Sequence, residues 1–171
     1  MKLQNSARRY PGNPVLAAQD TPCHATLIFY AGVVKFGGRY VMVFRNDYGD
    51  EQEKRLDGTN LGLAFSKDGI HWAAADKSCF VMQSDEIRRA YDPRLTVLDG
   101  RCYMCFAVDT RHGIRGGIAV ADDFEHFEVL SLSMPDNRNM LLFPEKLDGK
   151  FMRLERPFPI YGRGAMEAFD I

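Results

Sequence analysis

Asp99-Gly100-Arg101-Cys102-Tyr103-Met104-Cys105-Phe106 is a glycine turn, a basic residue and an apolar run, and the chain repeats the pattern on either side. Gly37-Gly38-Arg39-Tyr40-Val41-Met42-Val43-Phe44 precedes it, and Asp148-Gly149-Lys150-Phe151-Met152-Arg153-Leu154 follows. Before each turn lies another apolar stretch: Leu27 to Phe36, Arg94 to Leu98, and Met140 to Leu147. Apolar runs flanking a glycine turn read as hairpins. After the first two copies comes a third strand that closes on a turn with an aromatic. One ends Asp68-Gly69-Ile70-His71-Trp72, the other Asp123-Phe124-Glu125-His126-Phe127. Repeats of roughly 50 residues made of short strands predict an all-β fold, the β-propeller. Function in such a fold is sought around the central channel, where the innermost strands converge.

The repeats divide the chain into a lead-in over 1–24, a first blade over 25–80, a second over 91–130 and part of a third over 138–171. The lead-in is broken by Pro11, Gly12, Pro14 and Pro22. The charged run Asp47 to Asp57 reads as a solvated loop between two strands of the first blade, and Ser84 to Arg89 as a helical turn or loop. The third strand of the third blade is expected from near Ala165. About two and a half blades do not close, and a propeller hides its edges only by closing. The chain is therefore expected to be a piece of a longer one, or to take the missing strands from a partner.

The sequence has 171 residues, of which 46% are hydrophobic and 12% aromatic, enough for a packed strand-rich core rather than a disordered chain. A net charge of −1 gives no general attraction to nucleic acid or to an anionic membrane. Any anion site must come from local clustering of cations. Met1 to Arg9 holds no apolar run of signal-peptide length, and no stretch reaches the ~20 residues of a membrane span. A cytoplasmic location is the expectation. Cys102 and Cys105 spell C-x-x-C, but within a strand they fall on opposite faces and cannot share a metal.

The chemistry-bearing residues stand at the start of each innermost strand: Phe29-Tyr30-Ala31-Gly32, Tyr91-Asp92-Pro93-Arg94 and Asn137-Arg138-Asn139-Met140. The second strands add Arg45-Asn46 and Glu155-Arg156 where apolar residues give way to polar ones. Arginine suits planar recognition of phosphate or carboxylate. Asp92 reads either as a turn former before Pro93 or as an acid beside Arg94. Arg138, Asn139 and Lys146 read either as a polar turn with one exposed lysine or as an anion cradle, and Arg156 before Pro157 either caps a strand or joins that cradle. His71, Trp72, His126 and Phe127 read as packing residues of the turn. No nucleophile elbow, zinc-protease helix, P-loop or dinucleotide fingerprint occurs.

Phe44-Arg45-Asn46-Asp47-Tyr48-Gly49, Thr59-Asn60-Leu61-Gly62-Leu63-Ala64-Phe65-Ser66, Tyr91-Asp92-Pro93-Arg94, Asn137 to Lys146 and Arg153-Leu154-Glu155-Arg156-Pro157 resemble glycoside hydrolase family 130. This is the family of β-mannoside phosphorylases, and the nearest resemblance is to the 4-O-β-D-mannosyl-D-glucose phosphorylases. The resemblance implies a five-bladed propeller. It implies that Asp92 is the catalytic acid and that Arg138, Asn139, Lys146 and Arg156 hold or support phosphate. It implies that Arg45, Asn46 and Tyr30 line the mannose subsite, with Arg94 beside the acid. The implied reaction is inverting phosphorolysis to α-mannose 1-phosphate and glucose, with inorganic phosphate as co-substrate and no cofactor or metal. An inverting hydrolase needs two carboxylates, whereas phosphate is already an anion and needs no base. The partners are then a small oligosaccharide and phosphate, and open blade edges favour association of copies. The alternatives are a related β-mannoside hydrolase that uses water, and an inactive propeller fragment that binds carbohydrate.

Overall fold

A computed structural model describes residues 8–50, 52–53 and 55–158. Ten strands form its framework, after one short 3₁₀ turn at Ala18–Asp20. The first sheet is β1 (Leu27–Phe36), β2 (Arg39–Asp50), β3 (Arg55–Ser66) and β4 (Ala73–Ala74), in that order. The second is β5 (Ile87–Leu98), β6 (Arg101–Thr110), β7 (Gly113–Ala121) and β8 (Glu128–Leu132), also in order. The third pairs β9 (Asn137–Leu142) with β10 (Arg153–Pro157). Every pairing is antiparallel. Two four-stranded blades and the inner half of a third are the incomplete propeller that the repeats predict. Among the described residues, no helix is long and apolar enough to cross a membrane.

The repeated turn explains itself. Gly37-Gly38 and Asp99-Gly100 both take positive φ at their two central residues, the geometry that matches hairpin twist. Alternation along the strands then sends residues to two packing layers. Val41, Val43, Leu61 and Leu63 of the first sheet meet Cys102, Met104, Phe106 and Val108 of the second. Tyr103, Cys105, Ile118 and Val120 face the other way, onto Met140 and Leu142 of the third sheet. Cys102 and Cys105 thus sit in different layers, as the strand period requires. The outer face of the first sheet, Met42, Phe44 and Ala64, is covered by Leu16 of the lead-in and by Trp72.

Several expectations need correction. The run from Asp47 is not a solvated loop: β2 continues to Asp50, β3 starts at Arg55, and Asp47 is buried. Its charge misled, because an ion pair offsets it inside the sheet. Ser84 to Arg89 holds no helix: Ser84 Oγ accepts from the N–H groups of Glu86 and Ile87, and β5 begins there. In the third blade, Met140 to Leu147 is not one strand. β9 stops at Leu142, before Pro144, which has no N–H to donate to a ladder. The Asp148-Gly149 turn closes its own small bridge, Leu147 with Lys150, instead of joining β9 to β10 directly. Trp72 and Phe127 do pack, but His71 and His126 are exposed and pair with Asp68 and Asp123. The outermost strands β4 and β8 gave no distinct sequence signal. The strand expected near Ala165, and the residues before Arg8, lie outside the described residues.

Candidate active site

The site residues start only the third inner strand, at Asn137, and on all three they interrupt the pairing. In β1, Phe29 pairs with Arg45 and Gly32 with Val43, so Tyr30-Ala31 bulges opposite Phe44. In β5, Tyr91 pairs with Ala107 and Arg94 with Cys105, so Asp92-Pro93 bulges opposite Phe106. In β9, Arg138 pairs with Arg156 and Leu141 with Leu154, so Asn139-Met140 bulges opposite Glu155. The first bulge residue is left-handed each time: Tyr30 at φ 48°, Asp92 at 56° and Asn139 at 57°. Such values are uncommon outside glycine and mark places where a fold re-aims a side chain. The device recurs on all three inner strands. It also accommodates Pro93, which has no N–H to give the β6 ladder and sits in a bulge of an edge strand.

The inner strands lie close together. A Cβ at Gly32 of β1 would stand 2.8 Å from the Leu95 nitrogen and 3.0 Å from the Pro93 oxygen of β5. This approach brings Arg45 of the first blade to Asp92 of the second. Asp92 is buried, and its Oδ1 lies 3.4 Å from Arg45 Nη1. Arg94 Nη1 donates to the Asp92 backbone oxygen at 3.3 Å. Arg45 also grips Asp47 with a fork: Nε to Oδ1 and Nη2 to Oδ2, both 2.8 Å. Its guanidinium lies over two rings, 4.7 Å from the Phe29 centroid and 5.0 Å from that of Tyr91. Burial alone would lower the Arg45 pKa, but hydrogen bonding and charge from Asp47, then Asp92, outweigh it and raise it. Tyr91 donates its hydroxyl to Asp109 Oδ1 at 2.5 Å, and Arg89 Nε donates to Asp109 Oδ2 at 2.6 Å. Burial first, and Asp109 second, push the Tyr91 phenol well above its ordinary range.

The third blade contributes cations of a different kind. Arg138 stacks on Phe158, 5.3 Å from centroid to guanidinium carbon. Its buried Nε has no hydrogen-bond partner among the described residues. The Arg138 charge is felt at Tyr91, so it belongs to the same neighbourhood as Asp92. Arg156 is its register partner on β10 and is exposed. Among the described residues, neither arginine has a carboxylate within ion-pair distance. Glu155 beside them is tied up, accepting from Arg153 Nε at 2.6 Å and from Asn137 Nδ2 at 2.8 Å.

The expected residues are not all brought together. Tyr30 is exposed, edge-on to Phe29. Asn46 is buried on the opposite face of β2 from Arg45, where it donates to the His24 backbone oxygen and to Asn60. It secures the lead-in and does not meet Asp92. Lys146 pairs with Asp99 at 2.6 Å, in the turn at the far end of β5. Asp99 raises the Lys146 pKa there. Sequence reasoning quoted Asp47, Thr59, Phe29 and Tyr91 within longer stretches but gave them no role at the site. The signal for Asp47 was its spacing from Arg45, two along a strand and so on the same face. A cleft of about 530 Å³ opens elsewhere, at the outer edge of the first sheet beside Phe65 and Trp72, and shares no residue with the Asp92 group.

The sequence pattern of glycoside hydrolase family 130, described as beta-1,4-mannooligosaccharide phosphorylase, matches residues 8–164. The chain is 32% identical over 162 residues to the beta-1,4-mannooligosaccharide phosphorylase of Ruminococcus albus, covering 87% of this chain and 46% of that protein. It is 27% identical to a 1,2-beta-oligomannan phosphorylase of a Thermoanaerobacter species, covering 89% of this chain and 54% of the relative. The chain thus spans about half the length of these relatives. Its fold is similar to the beta-1,2-mannobiose phosphorylase of Listeria innocua, solved with beta-1,2-mannobiose, with a TM-score of 0.76 and 20% identity. That likeness covers 90% of this chain and 59% of the solved one. The match over nearly the whole sequence settles the family: the chain belongs to glycoside hydrolase family 130.

Proposed function

We propose that the chain carries the acid and part of the phosphate cradle of a β-mannoside phosphorylase. The substrate is a β-1,4-mannosyl-glucose type disaccharide, and the products are α-mannose 1-phosphate and glucose. A phosphate oxygen attacks the mannose anomeric carbon from the face opposite the leaving group. The glycosidic bond breaks, and the Asp92 proton goes to the leaving oxygen, through a sugar hydroxyl as the family resemblance implies. Arg138, Arg156 and Asn139 face the phosphate, and Arg45 and Tyr30 the mannose. Arg94 steadies the Asp92 backbone. Inorganic phosphate is the co-substrate, and its use fits a cytoplasmic enzyme.

One observation carries this reading: the arginines of the first and third blades differ in how they are neutralised. Arg45 is offset by Asp47 and Asp92. Arg138 and Arg156 have no acidic partner among the described residues, and Arg138 keeps a buried, unpartnered N–H. Arg138 is half-buried and Arg156 exposed, so both guanidinium groups are open to an anion that would partner them. The names of the matched relatives agree, since each is a phosphorylase of mannosides. They differ in linkage, β-1,4 in one and β-1,2 in others, so the mannosyl-glucose assignment rests on the sequence resemblance.

The test is release of mannose 1-phosphate from mannosyl-glucose with and without inorganic phosphate. Release that requires phosphate, and that is lost in Asp92→Asn, is the expected result. Equal turnover without phosphate overturns the reading in favour of a hydrolase. Release of mannose 1-phosphate that survives in Asp92→Asn removes the acid from Asp92.

A further inference from the structure

We propose that Asp47, supported by Thr59, is a positioning residue that fixes the guanidinium plane of Arg45 and through it the Asp92 carboxyl. This rests on the phosphorolysis reading for its kinetic consequence, but not for its geometry.

Arg45 has five N–H donors in one rigid plane. Two of them are committed to Asp47 in the paired geometry that defines both position and orientation. Only the Nη1 side is left for Asp92, at the longer distance of 3.4 Å. Asp47 is itself fixed: Thr59 Oγ1 on β3 donates to its Oδ1 at 2.7 Å, and both residues are buried. The Arg45 guanidinium also lies over the rings of Phe29 and Tyr91. The chain Thr59, Asp47, Arg45, Asp92 therefore runs from the third strand of one blade to the first strand of the next. The second blade has Ala107 at the register position of Arg45, and the third has Phe158 two residues after Arg156. Among the described residues, only the first blade carries the Arg-x-Asp pair, and it is the blade that faces the acid.

Asp47 reaches Asp92 only through Arg45, which bonds both, so its role is to position. Its loss frees the Arg45 fork to rotate and lets the Asp92 carboxyl wander. Misplacing a reacting group by about an ångström costs about a hundredfold. The phosphate side, Arg138 and Arg156, lies on another blade and is untouched. Phosphate affinity and turnover should therefore separate.

The experiment compares the wild type with Asp47→Asn and Thr59→Val in steady-state release of mannose 1-phosphate, together with hydrogen exchange of the Arg45 Nε proton by NMR. Asp47→Asn is expected to lower kcat by about 10-fold to 100-fold with KM for phosphate within about twofold. The same variant is expected to speed Arg45 Nε–H exchange at least about tenfold, since the bond to Oδ1 is weakened. Thr59→Val removes one hydroxyl and should lie between the two; if Asp47→Asn does not fold, Thr59→Val is the deciding variant. Unchanged kcat, or kcat and KM for phosphate failing in parallel, overturns the inference. A wild type that releases no mannose 1-phosphate overturns the functional reading instead. The exchange measurement then decides alone, and an Arg45 Nε–H equally protected in both variants overturns the positioning role.

Discussion

At the scale of single residues, Asp92 combines two demands that rarely coincide. Its backbone is left-handed at φ 56°, and its carboxyl is buried beside an arginine. Asp and Asn tolerate that backbone region better than other residues bearing a Cβ, because their short polar side chains bond locally. Asp92→Asn should therefore keep nearly the wild-type urea midpoint while losing activity. Asp92→Val should lower unfolding stability by about 1–2 kcal/mol more than Asp92→Asn, because a β-branched residue fits that region poorly. Equal midpoints for the two variants would mean that the bulge relaxes at no cost. Asp92 was legible as a candidate from its place in the repeat. Its left-handed backbone was not, since a Tyr, an Asp and an Asn share it and no residue type announces it.

At the scale of elements, each complete blade sets a phenylalanine over a glycine. Gly62 of β3 is paired with Phe44, and a Cβ there would lie 2.3 Å from the Phe44 ring. Gly117 of β7 bears the same relation to Phe106, also at 2.3 Å. Gly62→Ala should cost about 1–3 kcal/mol, the usual price of overpacking. Gly32→Ala should cost more, because its neighbours are the Pro93 and Leu95 backbones, which cannot rotate away. Chemical denaturation of both variants checks the order, and a milder Gly32→Ala would mean that the two inner strands separate readily. The aromatic turns make a second element-scale prediction. The Asp123 carboxylate accepts from the His126 and Glu125 N–H groups and sits beside the His126 ring. The His126 backbone bond first, and then its ring, hold Asp123 down to about 2. An exposed carboxylate of this kind ordinarily titrates near 4. Its contribution to stability is present above pH ~4 and is lost as the pH falls towards 2. Asp123→Asn should flatten the urea midpoint between those pH values, and an unchanged acid slope would remove the turn from acid unfolding.

At the scale of the whole molecule, the described residues leave one face of the third sheet uncovered. Leu141 and Leu154 of the third sheet are 42% and 56% exposed, and Phe151 and Met152 lie beside them. Among the described residues, β10 has a partner on one edge only. An exposed apolar face beside a free strand edge recruits other chains. The isolated 171-residue protein should self-associate at micromolar concentration in light scattering, and Leu154→Lys should reduce the associated fraction severalfold. A wild type that stays monomeric would show that this face is already covered.

By itself the sequence determined the three inner strands of each complete blade, their first hairpin turns and the family. These depend on local signals: glycine at positive φ, alternation along a strand, and a repeated motif. It also put Asp92 and Arg138 on first strands, and Arg45 and Arg156 on second strands. What only the tertiary structure decided was which of these charges meet. Asn46 and Lys146 were indistinguishable from Arg45 and Arg138 as polar residues at strand ends, yet one faces the lead-in and the other the far turn. Asp47 looked like part of a solvated run and proved to be buried. The Arg45–Asp92 contact lies between blades, set by the close approach of β1 and β5 at Gly32, and no spacing within one strand encodes it.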